Sequence, residues 1–545
     1  MRLFPLLLLV ACHPDSDIKP DTGPDDTSDP VDPCLNETAW DSRFDALAQA
    51  VEADLAASDA AGVSVAVMQD GEIVFAHAFG SGHPDQDVAI SPCTLFQIGS
   101  DTKKQTAVAL LRKVEQGLVS LDDPLSVALP GLEFANDPSW NDQILVRHLL
   151  SHQSGMYDYA LWEAGEDDAL LADFTYGDFA GQWFLMNPPG AFWNYSNPNF
   201  SLAGLITEEL DTRAWPDIIT EDVYRPLGMD RTFVRKADVV ADGDYAVGYG
   251  YDPTTWELGV VEMEDVVDNA WTRPAGLAWS TPSQHLLFAR WLMEGDESVL
   301  STDLREQMSA EQVNTLYLYD ELWYGFGLMV SRGFQVGDDY YQVPVWSHGG
   351  NTLDFSSEFF VLPEQRMAIA ILSSGFGTDF SSSVAVAATT LVEGLPAPVG
   401  APEYVVDTDR YAFHVGDYLD EWNVGDVIIG QDGDHLTIEV PLLERYGITY
   451  SHDLEALSSD IHYVEIDGAW YDLTFIQAAE GEPSQYIRNR AFAATRVPGE
   501  VPPPGVRHIP SREDVSRWLA TAKVVPPVTL RMVRARPVRS GNPRG

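Results

Sequence analysis

The chain has 545 residues, of which 45% are hydrophobic and 11% aromatic, so it can build more than one packed core and two folded domains with extensions are expected. Asp and Glu number 84 against 32 Lys and Arg, a formal charge of −52. That balance argues against nucleic acid as a partner and against electrostatic docking on anionic lipid, both of which need basic surface.

The N-terminus reads MRLFPLLLLVAC: one arginine, an apolar run from Leu3 to Ala11, then Cys12. The run is too short to span a bilayer and fits the apolar stretch of an export signal over residues 1–11. Leu9, Val10, Ala11 and Cys12 resemble the lipobox of a bacterial lipoprotein signal. The resemblance implies export through the inner membrane, lipidation of Cys12 and attachment to the cell envelope by that lipid alone. His13, in the place of an aspartate, favours the outer over the inner membrane in a Gram-negative host. Plain secretion with an unrelated cysteine is the alternative. Residues 12–40 follow as an acidic segment rich in Asp, Pro, Ser and Thr. It has too little apolar surface to offset its chain entropy and is expected to be a disordered tether. Its aspartates lack the spacing of a calcium loop. In an oxidising compartment Cys34 and Cys93 are left to form a disulfide, or to stay as two free thiols.

Folded sequence begins near residue 41. Phe44, Leu47, Val51 and Leu55 recur at helical spacing, and GVSVAVMQDGEIVFAHAFG alternates around Asp70-Gly71 as a β-hairpin. FQIGSDTKKQTAVALL then opens a helix at Ser100 that stops near Gly117. Lys103 is in phase with Ala107, Leu110 and Val114, and Lys104 with Val108 and Leu111, so periodicity does not choose between the two lysines. Helices and loops rich in Trp and Pro run to about Pro282. Strands return at YYQVPVWSHGG, SSEFFVLP and QRMAIAILSS, with a closing helix near 382–392. This order predicts an α+β domain over 41–395 whose antiparallel sheet pairs its first strands with its last. Residues 396–402 read as a linker, and 403–498 as a small all-β barrel or sandwich with hairpins at Asp432-Gly433 and Asp467-Gly468. Residues 499–545 are a basic tail, expected to be disordered, that is either a docking segment or an inauthentic end.

A serine three residues before a lysine on one helix face has the spacing of an activated nucleophile, but also that of an ordinary helix start. The rest of the sequence raises the first reading. HLLSHQSGM from His148, NPPGAFWNYSNPNFSLAGLI from Asn187, YRPLGMDRTF from Tyr224, PAGLAWSTPSQ from Pro274 and WSHGGNT from Trp346 follow in order. Together these stretches resemble the serine β-lactamase and penicillin-binding-protein family, in the branch of class C β-lactamases, D-aminopeptidases and β-lactamase-type esterases, over about residues 41–395. The resemblance implies a β-lactamase/transpeptidase-like sheet flanked by helices with a helical subdomain, and no cofactor or metal.

Carried over by residue, it implies that Ser100 is the nucleophile, Lys103 the lysine of S-x-x-K, and Tyr195 and Asn197 the Y-x-N pair. Tyr195 would shuttle a proton to the leaving group, and Asn197 would hold Lys103 and the substrate amide. Asn197-Pro198 is also a good helix start. His348, Gly349 and Gly350 stand where the family has K-T-G and would bind substrate along a strand edge. The backbone N–H groups of Ser100 and Asn351 would form the oxyanion hole. Histidine in the place of lysine is mostly neutral at pH 7, which weakens recognition of a substrate carboxylate. The expected activity is therefore hydrolysis, through an acyl-enzyme, of an ester or a D-peptide or amide, peptidoglycan fragments included, rather than of β-lactams. A catalytically silent lipoprotein that binds peptidoglycan or peptides is the alternative.

Overall fold

The computed structural model describes residues 37–158, 164–317, 321–402 and 404–497, with 511, 512, 515 and 519. The signal, Cys12, Cys34 and most of the tail lie outside the described residues. Cys93 is disulfide-bonded.

The main sheet has eight strands: β1 (Gly62–Gln69), β2 (Glu72–Gly80), β3 (Val313–Asn314), β4 (Leu322–Tyr324), β5 (Met329–Ser331), β6 (Val345–Asn351), β7 (Ser356–Leu362) and β8 (Met367–Ser373), in the order β2-β1-β8-β7-β6-β5-β4-β3. The first strands do pair with the last, β1 running antiparallel to β8 from Val63 against Ser373 to Gln69 against Met367. Asp70 and Gly71, at φ +51° and +84°, form the tight turn between β1 and β2.

Helices cover both faces of this sheet, which is why β1 is apolar on both sides. Val63, Val65 and Val67 face α1 (Asp45–Ala56) and α5 (Ser381–Thr390), while Ala66 and Met68 face the core shared with α2 (Thr102–Glu115), α3 (Pro198–Glu209) and α4 (Pro282–Glu294). Helix α2 is buried on nearly every side, Lys103 and Lys104 included. A helix buried all round has no single apolar stripe, so periodicity could not separate the two lysines.

A short turn, Gly99–Asp101, leads into α2 and is pressed against β6. Gly99 sits at φ +52°, and a Cβ there would lie 2.6 Å from Asn351 N. A Cβ on Gly350 would lie 2.0 Å from Ile98 O. Both glycines are needed for this contact, which Ser357 reinforces by donating Oγ–H to Ile98 O at 2.8 Å.

The second sheet is an antiparallel meander of β9 (Gly416–Asp420), β10 (Gly425–Asp432), β11 (His435–Glu439), β12 (Glu455–Ala456), β13 (Ile461–Ile466), β14 (Ala469–Gln477), β15 (Ser484–Asn489) and β16 (Phe492–Arg496). Strand β9 pairs with β16, and the chain just before β12 bonds to β11, Ile438 N to His452 O at 2.8 Å and Leu454 N to Leu436 O at 2.9 Å. The meander is thus barrel-like, with its own apolar core of Val427, Leu436, Leu473 and Ile487.

Two segment readings change. Within the expected linker, Val399–Gly400 pairs with Asp339 and Tyr340 as an added strand, because the free edge of the Phe334–Tyr341 hairpin offers backbone partners. Within the expected disordered tail, Val515 and Leu519 are buried in the barrel core and Tyr471 donates its hydroxyl to Leu519 O at 2.7 Å. Their i, i+4 spacing forms a one-sided apolar pair that the surrounding charges obscured.

Gly350→Ala should cost about 1–3 kcal/mol through overpacking, a fall of roughly 2–4 °C in melting temperature per kcal/mol for a domain of 150–250 residues. Thermal unfolding of the variant checks this, and an unchanged melting temperature would mean that the turn is not held against β6.

Candidate functional site

Ser100 ends on a hydroxyl with two neighbours. Lys103 Nζ is 3.0 Å from Ser100 Oγ, and Tyr195 donates its O–H to the same oxygen at 2.8 Å. Lys103 is wholly buried, and its Nζ also donates to Asn197 Oδ1 at 2.7 Å and to Ala275 O at 2.6 Å. A neutral amine has two N–H bonds and one lone pair. With both N–H groups used on these oxygens, the lone pair is left to face the Ser100 hydroxyl proton. Burial depresses the Lys103 pKa well below that of a free lysine; Asp158 opposes the shift, Arg490 adds to it and Asp101 opposes it.

Tyr195 is pushed the other way, its phenol held above the ordinary value chiefly by burial. Its ring is wedged between the Lys103 amine, a guanidinium and a histidine: Lys103 Nζ is 4.9 Å and the Arg490 guanidinium 4.6 Å from its centroid, and the His152 ring lies 4.2 Å away. His152 is buried, accepts Ser196 N–H on Nδ1 at 3.1 Å, and is held neutral mainly by burial.

Asn197 does not cap α3. Its backbone is helical and its side chain makes no capping bond. It accepts from Lys103 through Oδ1 and donates Nδ2–H to Asp158 Oδ1 at 3.0 Å, while its backbone N–H reaches the same carboxylate oxygen at 2.8 Å. Pro198 starts the helix, so the side chain is free for the site.

Lys104, one residue on, belongs to a separate buried cluster. Its Nζ lies 2.5 Å from Asp101 Oδ1, and Asp101 Oδ2 lies 3.0 Å from Ser357 Oγ, which shares its one proton between this oxygen and Ile98 O, and 3.0 Å from His285 Nε2. Burial raises the Asp101 pKa, but Lys104 and His285 outweigh it and hold the carboxylate ionised. Burial lowers Lys104 only to about 8, because Asp101 holds its proton.

On β6, Thr352 N donates to Phe355 O at 2.9 Å in the turn to β7. Antiparallel alternation then directs Asn351 N–H away from β7, to the side on which Gly99 packs. The edge of β6 beyond Ser347 is not covered by β5, whose pairing stops there. Gly349 is exposed, with room for an extended chain beside it. His348 faces inward and is buried. Nδ1–H donates to Gly349 O at 2.7 Å and Nε2 accepts the Tyr324 hydroxyl at 3.1 Å. Burial lowers its pKa to about 4, so it is neutral at pH 7. Both nitrogens are engaged within the protein, so His348 supports the strand from its buried side while Gly349 and the strand backbone stay open at the edge.

Three residues of the cleft were not picked out in the sequence: His152, Asp158 and Arg490. His152 lies inside the quoted HLLSHQSGM stretch, which was the available signal. Asp158 stands just past it, and Arg490 comes from the turn between β15 and β16, donating Nε–H to Asp158 Oδ2 at 2.6 Å. Nothing in the local sequence marks Arg490. The turn is anchored by buried Arg488, which donates to Trp193 O at 2.8 Å and Thr315 O at 2.7 Å, and by Asn194, which donates to Asn489 O at 3.2 Å.

The family model described as Beta-lactamase matches residues 47–392. Penicillin-binding protein 4* of Bacillus subtilis is 24% identical over 450 residues, 78% of this chain and 95% of that protein. The crystal structure of SurE superimposes with a TM-score of 0.60 at 20% identity, over 84% of this chain and 99% of that one. A D-stereospecific amidohydrolase from Streptomyces gives a TM-score of 0.51 at 23% identity, over 63% of this chain and 98% of that one. These structural likenesses are likenesses of fold.

The two adjacent lysines should separate in stability measurements. Lys104→Met strands the buried Asp101 carboxylate and should cost about 3–5 kcal/mol, whereas Lys103→Met leaves only the neutral oxygens of Asn197 and Ala275 without a donor and should cost less, about 1–3 kcal/mol. Parallel thermal melts decide this; equal losses would overturn the separate roles.

Proposed function

The chain belongs to the Beta-lactamase family of serine hydrolases, and on that basis we propose that it cleaves an ester or a D-configured amide or peptide through an acyl-enzyme on Ser100. The observation that carries the reading is the placement of Ser100 Oγ between Lys103 Nζ at 3.0 Å and Tyr195 OH at 2.8 Å.

The direction of the pKa shifts supports one division of roles. A general base must be unprotonated near working pH. Burial drives Lys103 toward its neutral form and Tyr195 away from tyrosinate, so Lys103 takes the Ser100 proton as Oγ attacks the carbonyl carbon. Tyr195, still a phenol, passes a proton to the leaving amine or alcohol and recovers one from Lys103. The N–H groups of Ser100 and Asn351 receive the carbonyl oxygen as it gains charge. Water then attacks the acyl-enzyme along the reverse proton route and releases the acid.

Substrate class rests on two supports. The D-stereospecific amidohydrolase of Streptomyces shares this fold. His348 is neutral, so β6 carries no lysine-like charge for a β-lactam carboxylate. Peptidoglycan-derived peptides fit this class, and a protein held by a lipid on Cys12 in the envelope would meet them.

Fluorophosphonate should label the wild-type protein and not Ser100→Ala. D-amino acid amides or simple esters should be hydrolysed at least about tenfold faster than a chromogenic cephalosporin, the scale of one lost charge-assisted contact. Labelling should fall as pH is lowered through the depressed Lys103 pKa, because protonation removes the base. No labelling of folded protein at any pH would overturn the acyl-enzyme, and preferential cephalosporin turnover would overturn the substrate class.

A further inference from the structure

We infer that Arg490, carried by the barrel, is a positioning residue of the hydrolase site that neutralises Asp158 and so leaves Lys103 free to act as a base. The inference rests on the acyl-enzyme reading above.

The geometry forms a chain of contacts. Lys103 Nζ bonds to Asn197 Oδ1, Asn197 Nδ2–H bonds to Asp158 Oδ1, and Asp158 Oδ2 receives Arg490 Nε–H. Asp158 is 7% exposed at its side chain and Arg490 43%, so the carboxylate is the desolvated partner and the guanidinium keeps contact with the cleft. A buried carboxylate near a lysine favours the ammonium, which is the wrong state for a base. Lys103 is faced by charged or titratable groups from every side: Asp101 in the nucleophile turn, His152 and Asp158 in the following loop, Tyr195 before α3, His348 on β6 and Arg490. His152 and His348 are neutral at pH 7, Tyr195 is a phenol, and Asp101 already has Lys104. Asp158 is the remaining anion, and Arg490 is the cation bound to it. Arg490 also stacks on Tyr195, which fixes the phenol over Ser100.

The anchors show that the turn is fixed in place. Arg488 is buried with its guanidinium 4.6 Å from the Tyr317 ring and bonded to two carbonyls of the larger domain, and Ala491 N–H closes the turn on Asn489 Oδ1 at 2.9 Å. The barrel therefore presents Arg490 at a set position.

The test is the rate of fluorophosphonate labelling against pH in the full chain. Arg490→Gln should move the acid limb to higher pH by about one unit or more, a loss of about tenfold below the limb that shrinks as pH rises. Arg490→Lys should retain much of the wild-type midpoint. Asp158→Asn in the Arg490→Gln background keeps an acceptor for Asn197, removes the charge and should bring the midpoint back. A merely structural role for Arg490 predicts a loss equal at every pH that Asp158→Asn does not reverse, and that outcome overturns the inference while labelling of wild type, absent in Ser100→Ala, upholds the acyl-enzyme. Wild-type protein unlabelled at every pH overturns both.

Discussion

Burial of one amine sets the terms for the rest of the cleft. An ammonium taken out of water costs several kcal/mol unless it is paired, and Lys103 has only neutral oxygens in direct contact. Losing the proton is the less costly outcome, and that outcome leaves a lone pair beside Ser100, as the proposed base requires. It holds only while nearby anions are answered by cations of their own. Asp101 is answered by Lys104, Asp158 by Arg490. The overall charge of −52 matters less, because surface charges are screened over about 8–10 Å and the buried pairs are not.

Electrostatics of this kind needs a rigid frame, and the frame is backbone pressed against backbone. Gly99 and Gly350 let the nucleophile turn meet β6 with no side chain between them, and Ser357 ties Ile98 O and Asp101 to β7. The donors of Ser100 and Asn351 therefore come from two segments distant in sequence but packed as one surface. Preorganised donors of this sort need no rearrangement as charge develops on the substrate oxygen.

What could be read from the sequence divides along the same line. The Asp70-Gly71 hairpin and the pairing of first strands with last were legible in pattern and element order; Lys103 rather than Lys104, and Tyr195 with Asn197, were marked only by the family resemblance, and the structure brings these residues together around Ser100. Roles set by a distant partner were not legible. Asn197 was expected to hold Lys103, and it does, but the Asp158 carboxylate that orients it lies 39 residues away and was not read. His348 looks like a substrate ligand until Tyr324 and Gly349 O take both nitrogens. Arg490 is separated from Asp158 by 332 residues, and no local pattern could join them. Val399–Gly400 and Val515 with Leu519 were misread because short segments acquire structure from the edges and cores they meet.

The barrel's contribution has a consequence for how the cleft opens. Withdrawing it would leave Asp158 without its cation and Arg488 without Trp193 O and Thr315 O. Each buried polar group stranded in this way costs about 1–3 kcal/mol, more when charged, and every 1.4 kcal/mol is a factor of ten in population. Even if water recovers part of that cost, the docked arrangement dominates. On the proposed function, the uncovered edge of β6 at exposed Gly349 is where an extended substrate would lie, beside a cleft whose charges are already arranged. The barrel forms one wall of the cleft, set there by Arg488 on the carbonyls of Trp193 and Thr315, and it brings Arg490 against both Asp158 and the Tyr195 ring.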